Sequence, residues 1–240
     1  MCPEKVVFVS SVDRYEDYYM LERNNGSDDC VVILHGHNAH GDQIYTREDL
    51  FPFRDFIREQ HASIIAPNLR DNAWMNPAAA EDLKNILLHC RREYGFKRCI
   101  IASGSMGGTG GLIFSVLHPE LVDALVVAGG ASSIERYCQW CRQGKLEIHA
   151  DIADAICQGY DAESFKLHDV CANADRLTMI LRYFHGTADE IMPVSEMYAL
   201  QDCMKNTPNA RFTPLENGDH DSPLSCLIPS VSEVLQLLRQ

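Results

Sequence analysis

Ser105 lies in the segment Ser103-Gly104-Ser105-Met106-Gly107-Gly108, directly after the apolar run Cys99-Ile100-Ile101-Ala102. A serine hydroxyl is a weak nucleophile until a neighbouring base takes its proton, so the places where histidines and carboxylates recur matter next. Three further segments set them beside glycine: Leu34-His35-Gly36-His37-Asn38, His185-Gly186-Thr187-Ala188-Asp189 and Asn217-Gly218-Asp219-His220. Serine, histidine and aspartate are the side chains of nucleophilic acyl transfer. Glycine-rich turns between a strand and a helix also bind phosphates. A dinucleotide fingerprint, however, places G-x-G-x-x-G on the first βαβ unit, whereas Gly104-x-x-Gly107 has another spacing and comes late. No G-x-x-x-x-G-K-[ST] occurs.

Each of these segments follows an apolar run that reads as a strand. Lys5–Ser10 and Tyr18–Leu21 look like a short antiparallel opening pair. Cys30–Leu34, Ala62–Ala66, Arg98–Ser103, Ala124–Ala128, Thr178–Phe184 and Ala210–Leu215 follow, and continuous apolar runs suit strands covered on both faces. Helical patterns alternate with them: Thr46–Gln60, with Thr46 and Asp49 as a capping box; a helix from Asn76-Pro77 with apolar Leu83, Ile86, Leu87 and Cys90, ended by Gly95; Met106–Leu117; Pro193–Met204; and Ser230–Arg239. Strands alternating with helices predict an α/β fold, a mostly parallel central sheet with helices on both faces. Ligands in such sheets bind beyond the carboxyl ends of the strands, where all four segments lie. The alternation breaks once, between Gly130 and Thr178. Residues 1–240 read as one domain, with 131–177 as a helical insert between late strands that is either a lid or a structural crossover.

The run Ser103-Gly104-Ser105-Met106-Gly107 resembles the nucleophile elbow, G-x-S-x-G, of the α/β-hydrolases, with serine in place of the first glycine. The resemblance extends from about Val31 to the C-terminus. It implies Ser105 as nucleophile, Asp189 as the triad acid and His220 as the base, in the family order Ser, Asp/Glu, His. It also implies an oxyanion hole made by the backbone N–H of Met106 and that of His37, with Asn38 as the alternative. Asp219 and Asp221 flank His220, but adjacent loop side chains point apart, and Asp123 and Asp175 precede strands at the other end of the sheet. His61, His89 and His118 lie at that end too, while His149 and His168 belong to the insert. The chain is similar to small esterases and to the hydrolase domain of prolyl-oligopeptidase-like enzymes, without a propeller domain.

Composition narrows the partners. A net charge of −13 argues against nucleic acid and against an anionic membrane surface, and no run of 18 apolar residues predicts a membrane span. Hydrophobic residues at 46% and charged residues at 23% suit a globular chain. Met1–Ser10 lacks the basic start, long apolar core and cleavage site of a signal peptide, so a cytoplasmic location is expected. The ten cysteines are then expected as free thiols. Cys138-Gln139-Trp140-Cys141 is a CxxC, but Cys157 and Cys171 do not supply a second pair with zinc spacing, and a helix turn is expected there.

The expected chemistry is hydrolysis of a small-molecule carboxylic ester through an acyl-enzyme, with no metal or cofactor. A peptidase or an acyltransferase on the same fold is the alternative, as is a non-catalytic binding protein. Asn38, Trp74, Trp140, Ile191 and Met192 are candidate substrate contacts. The pattern is silent on oligomeric state.

Overall fold

The computed structural model describes residues 2–240; Met1, the first residue of the segment read for a leader, lies outside them. Eight strands form one sheet in the order β1-β2-β4-β3-β5-β6-β7-β8. β1 (Glu4–Val9) and β2 (Glu16–Glu22) pair antiparallel, and β2 pairs antiparallel with β4 (Ser63–Pro67). From there β3 (Asp29–Val32), β5 (Arg98–Gly104), β6 (Ala124–Ala128), β7 (Ile180–Gly186) and β8 (Ala210–Leu215) run parallel. The central strands β3, β4 and β6 are buried along their whole length, which is why they read as unbroken apolar runs.

Two helical layers cover the sheet. α3 (Pro77–Tyr94), α4 (Ser105–Leu117) and α8 (Ser195–Cys203) pack on one face, where Trp74, Tyr19, Leu83, Leu87 and Phe114 are fully buried. α3 starts as the sequence predicts, with the Asn76 side chain accepting the Ala79 N–H and Pro77 first in the helix, and it ends at left-handed Gly95. On the other face α2 (Phe51–Glu59) and α9 (Leu227–Leu238) bury Phe53, Ile57, Val231 and Val234.

Some boundaries differ from the sequence reading. The stretch expected as one helix over 46–60 is a short α1 (Gln43–Thr46), a 3-10 turn and α2. The Thr46–Asp49 capping box does not form. Thr46 is the last residue of α1, its hydroxyl donates to the Asp42 carbonyl, and Asp49 accepts from Arg47. Pro52 sits in the first turn of α2, where its missing N–H costs nothing. The closing helix begins at Leu227 rather than Ser230, with Pro229 tolerated in its first turn for the same reason. Between β6 and β7 the insert holds α5 (Ile134–Gln143), α6 (Glu147–Gly159) and α7 (Ala162–Leu167). Cys138 and Cys141 lie within α5, so the CxxC is a helix turn. Among the described residues no helix is long and apolar enough to cross a membrane.

Candidate active site

The turn from β5 to α4 forces Ser105 to φ +57°, a left-handed conformation rare outside glycine. Such a turn needs small neighbours. A Cβ at Gly107 would meet the Leu34 carbonyl oxygen at 2.2 Å, so only glycine lets α4 pass that close to the end of β3. The turn is anchored by the Ser105 N–H, which donates to the Gly129 carbonyl at 2.9 Å. Ser105 therefore stands at the N-terminus of α4, whose unpaired N–H groups and dipole favour negative charge.

Two loops bring their side chains to it. The His220 Nε2 lies 2.9 Å from the Ser105 Oγ, and its Nδ1 lies 2.8 Å from the Asp189 Oδ2. An ionised carboxylate only accepts, so Nδ1 carries the proton and Nε2 is free to accept from the serine hydroxyl. The Asp189 Oδ1 accepts the N–H groups of Ile191 and Met192, both at 2.9 Å. The buried His185 donates from Nε2 to the Met192 carbonyl at 2.9 Å, and that nitrogen stands 3.4 Å from the Asp189 Oδ2. Burial alone would raise the pKa of Asp189, but hydrogen bonds from His185 and His220 outweigh it and hold the carboxyl well below the usual carboxylate range. The other carboxylates near the histidine are engaged elsewhere. Asp219 accepts from the Ser222 N–H and hydroxyl at 2.9 and 2.6 Å, and Asp221 pairs with Arg47 at 3.3 Å.

The loops that carry Asp189 and His220 also touch each other. The Ala188 N–H donates to the Gly218 carbonyl, and a Cβ at Gly186 would strike the carbonyl oxygens of Gly218 and Asp219, each at 2.3 Å.

On the other side of Ser105, the loop after β3 is fixed by buried His35, whose two ring nitrogens lie 2.8 and 2.6 Å from the carbonyls of Gly36 and Asn68, one of which takes its N–H. The Asn38 N–H is occupied by the Asn72 side chain at 2.7 Å. The His37 backbone N–H has no partner among the described residues, and neither has Met106 an intrahelical acceptor in the first turn of α4. Of the two alternatives for the second oxyanion donor, His37 is thus the one with a free N–H. Its ring accepts from the Trp74 indole at 3.3 Å, and burial pushes its imidazole below the ordinary histidine value.

A cavity of about 180 Å³ opens beside Ser105 and His220. Its walls include Ile44 of α1, Leu50, Phe53 of α2 and Leu224, with Ile148 and Ile152 contributed by α6 of the insert. Of the predicted substrate contacts, Ile191 lines it. Trp74 and Met192 are not among its walls and are packed in the core instead. Asn38 is held in its turn against Asn72. Trp140 stacks on Tyr137 and meets His149 edge-on, facing an outer depression with Glu190 rather than the cavity beside Ser105. Sequence reading missed Ile44, Leu50, Phe53, Ile148 and Ile152; each sits in an ordinary helical pattern, and nothing in that pattern separates a residue facing a cavity from one facing the sheet.

No protein-family model matches the chain, and no curated protein does. Solved structures do. The esterase Pf2001 of Pyrococcus furiosus superposes with a TM-score of 0.75 at 16% identity, over 98% of this chain and 92% of that one. The fluorophosphonate-binding serine hydrolase FphF of Staphylococcus aureus gives 0.77 at 14%, over 97% and 98%. Est1E of Butyrivibrio proteoclasticus gives 0.70 at 14%, over 98% and 99%. At such identities the likeness speaks for architecture, and with the strand order above it establishes that the chain has the α/β-hydrolase fold.

Proposed function

We propose that the protein is a serine hydrolase that cleaves carboxylic esters of small acyl groups. One observation carries the reading: the Ser105 Oγ, at a left-handed turn ahead of α4, lies 2.9 Å from a histidine whose far nitrogen lies 2.8 Å from a buried aspartate. In this reading His220 takes the serine proton as Ser105 attacks the ester carbonyl, and Asp189 fixes the imidazole tautomer and stabilises the imidazolium. The backbone N–H groups of His37 and Met106 hold the oxyanion. His220 returns its proton to the departing alcohol, and water then repeats the sequence on the acyl-enzyme. No step calls for a metal or an organic cofactor.

The apolar side of the cavity, formed by Ile44, Leu50, Phe53, Ile148 and Ile152, receives the acyl chain. The cavity volume of about 180 Å³ is below the roughly 300–1,000 Å³ of pockets that take drug-sized ligands, which favours short chains. The insert 131–177 supplies one wall through Ile148 and Ile152, and that wall is the role we assign to it.

The test is labelling with a fluorophosphonate, followed by hydrolysis of p-nitrophenyl esters of graded length. Wild-type protein should label at Ser105 and turn over the short esters. Ser105→Ala should neither label nor hydrolyse, with turnover down on the order of 10⁴-fold or more. A folded Ser105→Ala variant that keeps a tenth of the activity would rule out Ser105 as nucleophile.

A further inference from the structure

All ten cysteines are free, and two close pairings stand out among them. Cys30 and Cys99 face each other across β3 and β5, but both are fully buried within the sheet and out of reach of a solute. The other pairing lies in the insert. The sulfurs of Cys138 on α5 and Cys157 on α6 are 3.3 Å apart. Cys157 is half-exposed, and the Arg142 guanidinium donates to its sulfur at 2.9 Å. Cys138 is buried behind it, with its thiol directed at the Ala153 carbonyl at 3.7 Å.

The two thiols are therefore unequal. The Arg142 guanidinium sits against the Cys157 sulfur, and Cys157 is the one that solvent reaches. Burial pushes the Cys138 thiol up to about 12, so it is the less readily oxidised of the two and loses its proton only as the S–S bond forms. We propose that Cys157 is an oxidation site for hydroperoxides, and that Cys138 resolves the oxidised sulfur into a disulfide joining α5 to α6.

The chemistry balances. The Cys157 thiolate attacks one peroxide oxygen; an S–O bond forms, the O–O bond breaks, and hydroxide leaves and takes up the proton that the thiol gave. The Cys157 sulfenic acid is then attacked by the Cys138 sulfur as its proton departs; the S–S bond forms, the S–O bond breaks, and a second water leaves. Two electrons pass from the thiol pair to the peroxide, and a dithiol returns them. Closing the bond draws the sulfurs from 3.3 Å to about 2.0 Å. α6 carries Ile148 and Ile152 in the cavity wall, so any shift of α6 that accompanies closure reaches that wall. That coupling rests on the proposed function; the oxidation site does not.

The experiment uses the full, reduced chain treated with hydrogen peroxide, then alkylated and mapped by peptide mass spectrometry. A reversible cross-link between the peptides carrying Cys138 and Cys157 is expected, with two thiols lost and both restored by dithiothreitol. Cys141→Ser, a change elsewhere on α5, should leave the cross-link in place. Cys157→Ser should abolish it, and Cys138→Ser should leave Cys157 carrying added oxygen. Arg142→Gln should slow its formation. The proposal is overturned if peroxide oxidises the exposed Cys2 and Cys203 while Cys138 and Cys157 still alkylate, or if thiol loss in the insert is unchanged in Cys157→Ser. Because the readout is covalent, it stands or falls apart from any result on ester hydrolysis.

Discussion

The hydroxyl of Ser103 accepts the backbone N–H of Leu34 at 2.7 Å, tying the strand that delivers Ser105 to the loop that carries His37. The position where the hydrolase elbow has a glycine thus holds a side chain with a bond to make, buried at the end of β5. Ser103→Ala removes the acceptor and leaves a buried donor unpaired, so a loss of about 1–3 kcal/mol is expected in urea unfolding. Turnover should fall on the order of tenfold, short of the roughly 10²- to 10³-fold that deleting an oxyanion donor costs. Unchanged stability and rate would mean that the link is dispensable.

The two aspartates near His220 should separate cleanly. Asp189→Asn should lower kcat by about 10⁴ because the imidazole loses its tautomer control. Asp219→Asn should leave kcat within a few-fold, since Asp219 faces Ser222 rather than the ring. The reverse ranking, in folded variants, would reassign the acid.

Activity should rise with pH as the imidazole base becomes neutral, and the shape of that rise is informative. The Asp189 carboxyl is held well below its ordinary range, and burial lowers the proton affinity of His37. The Asp189 carboxyl should therefore stay ionised throughout the assay window. The acidic limb of log kcat/KM against pH should therefore have a slope of about one. A slope of two would reveal a second essential ionisation at the site.

Chain-length preference should answer to Phe53 rather than to Trp140. Phe53 closes the apolar cavity from α2, and Phe53→Leu should raise kcat/KM for longer acyl chains relative to short ones. Phe53→Ala should extend the shift, at a cost of about 3–5 kcal/mol in stability. Trp140→Ala should leave the profile where it was, because the ring faces outward beside His149.

His168 gives the insert an acid sensitivity. It is buried against the Tyr160 hydroxyl at 3.2 Å, and Tyr160 in turn bonds the carbonyls of Trp74 and Met75 at 2.8 Å. Burial lowers the His168 pKa to about 4, against about 6.5 when unfolded. Below the higher value the unfolded chain binds a proton that the folded chain refuses. The stabilising contribution is therefore whole above about pH 6.5 and drains away as pH falls towards 4, by about 3 kcal/mol in all. His168→Phe should flatten this part of the stability profile, as read by urea titrations at successive pH values. An equally steep loss in the variant would place the sensitivity elsewhere.

The catalytic candidates were legible in the sequence because each is bracketed by glycine at the end of an apolar run. Ser105, Asp189 and His220 stand where sheet topology puts ligands, and the structure brings the three together. The cavity walls were not legible. Phe53 and Ile57 occupy the same kind of apolar helical position, yet only Phe53 reaches the cavity. Trp74 and Met192 show the same ambiguity from the other side: large apolar residues near the motifs that turn out to be core. The bond from Leu34 to Ser103 spans 69 positions, and residue type alone marked Ser103 only as small. The left-handed residues of the loop after β4, including Leu69, Arg70, Asp71, Trp74 and Met75, carry no glycine to announce them.

Gly186 does more than permit a close approach. With its missing Cβ, the loop bearing the acid lies flush on the loop bearing the base, and Thr187 reinforces the seam by accepting the Asn217 N–H at 2.8 Å. Asp189 and His220 are thereby mounted on one clamp built from the ends of β7 and β8, while Ser105 stands on a separate post. The clamp is also tied to the helices between β6 and β7: His149 of α6 bonds the Glu190 carbonyl at 3.0 Å, and the Tyr137 hydroxyl of α5 donates to the Ile191 carbonyl at 3.1 Å. A shift of α5 or α6 is therefore passed to the loop that carries Asp189 as well as to the cavity wall formed by Ile148 and Ile152.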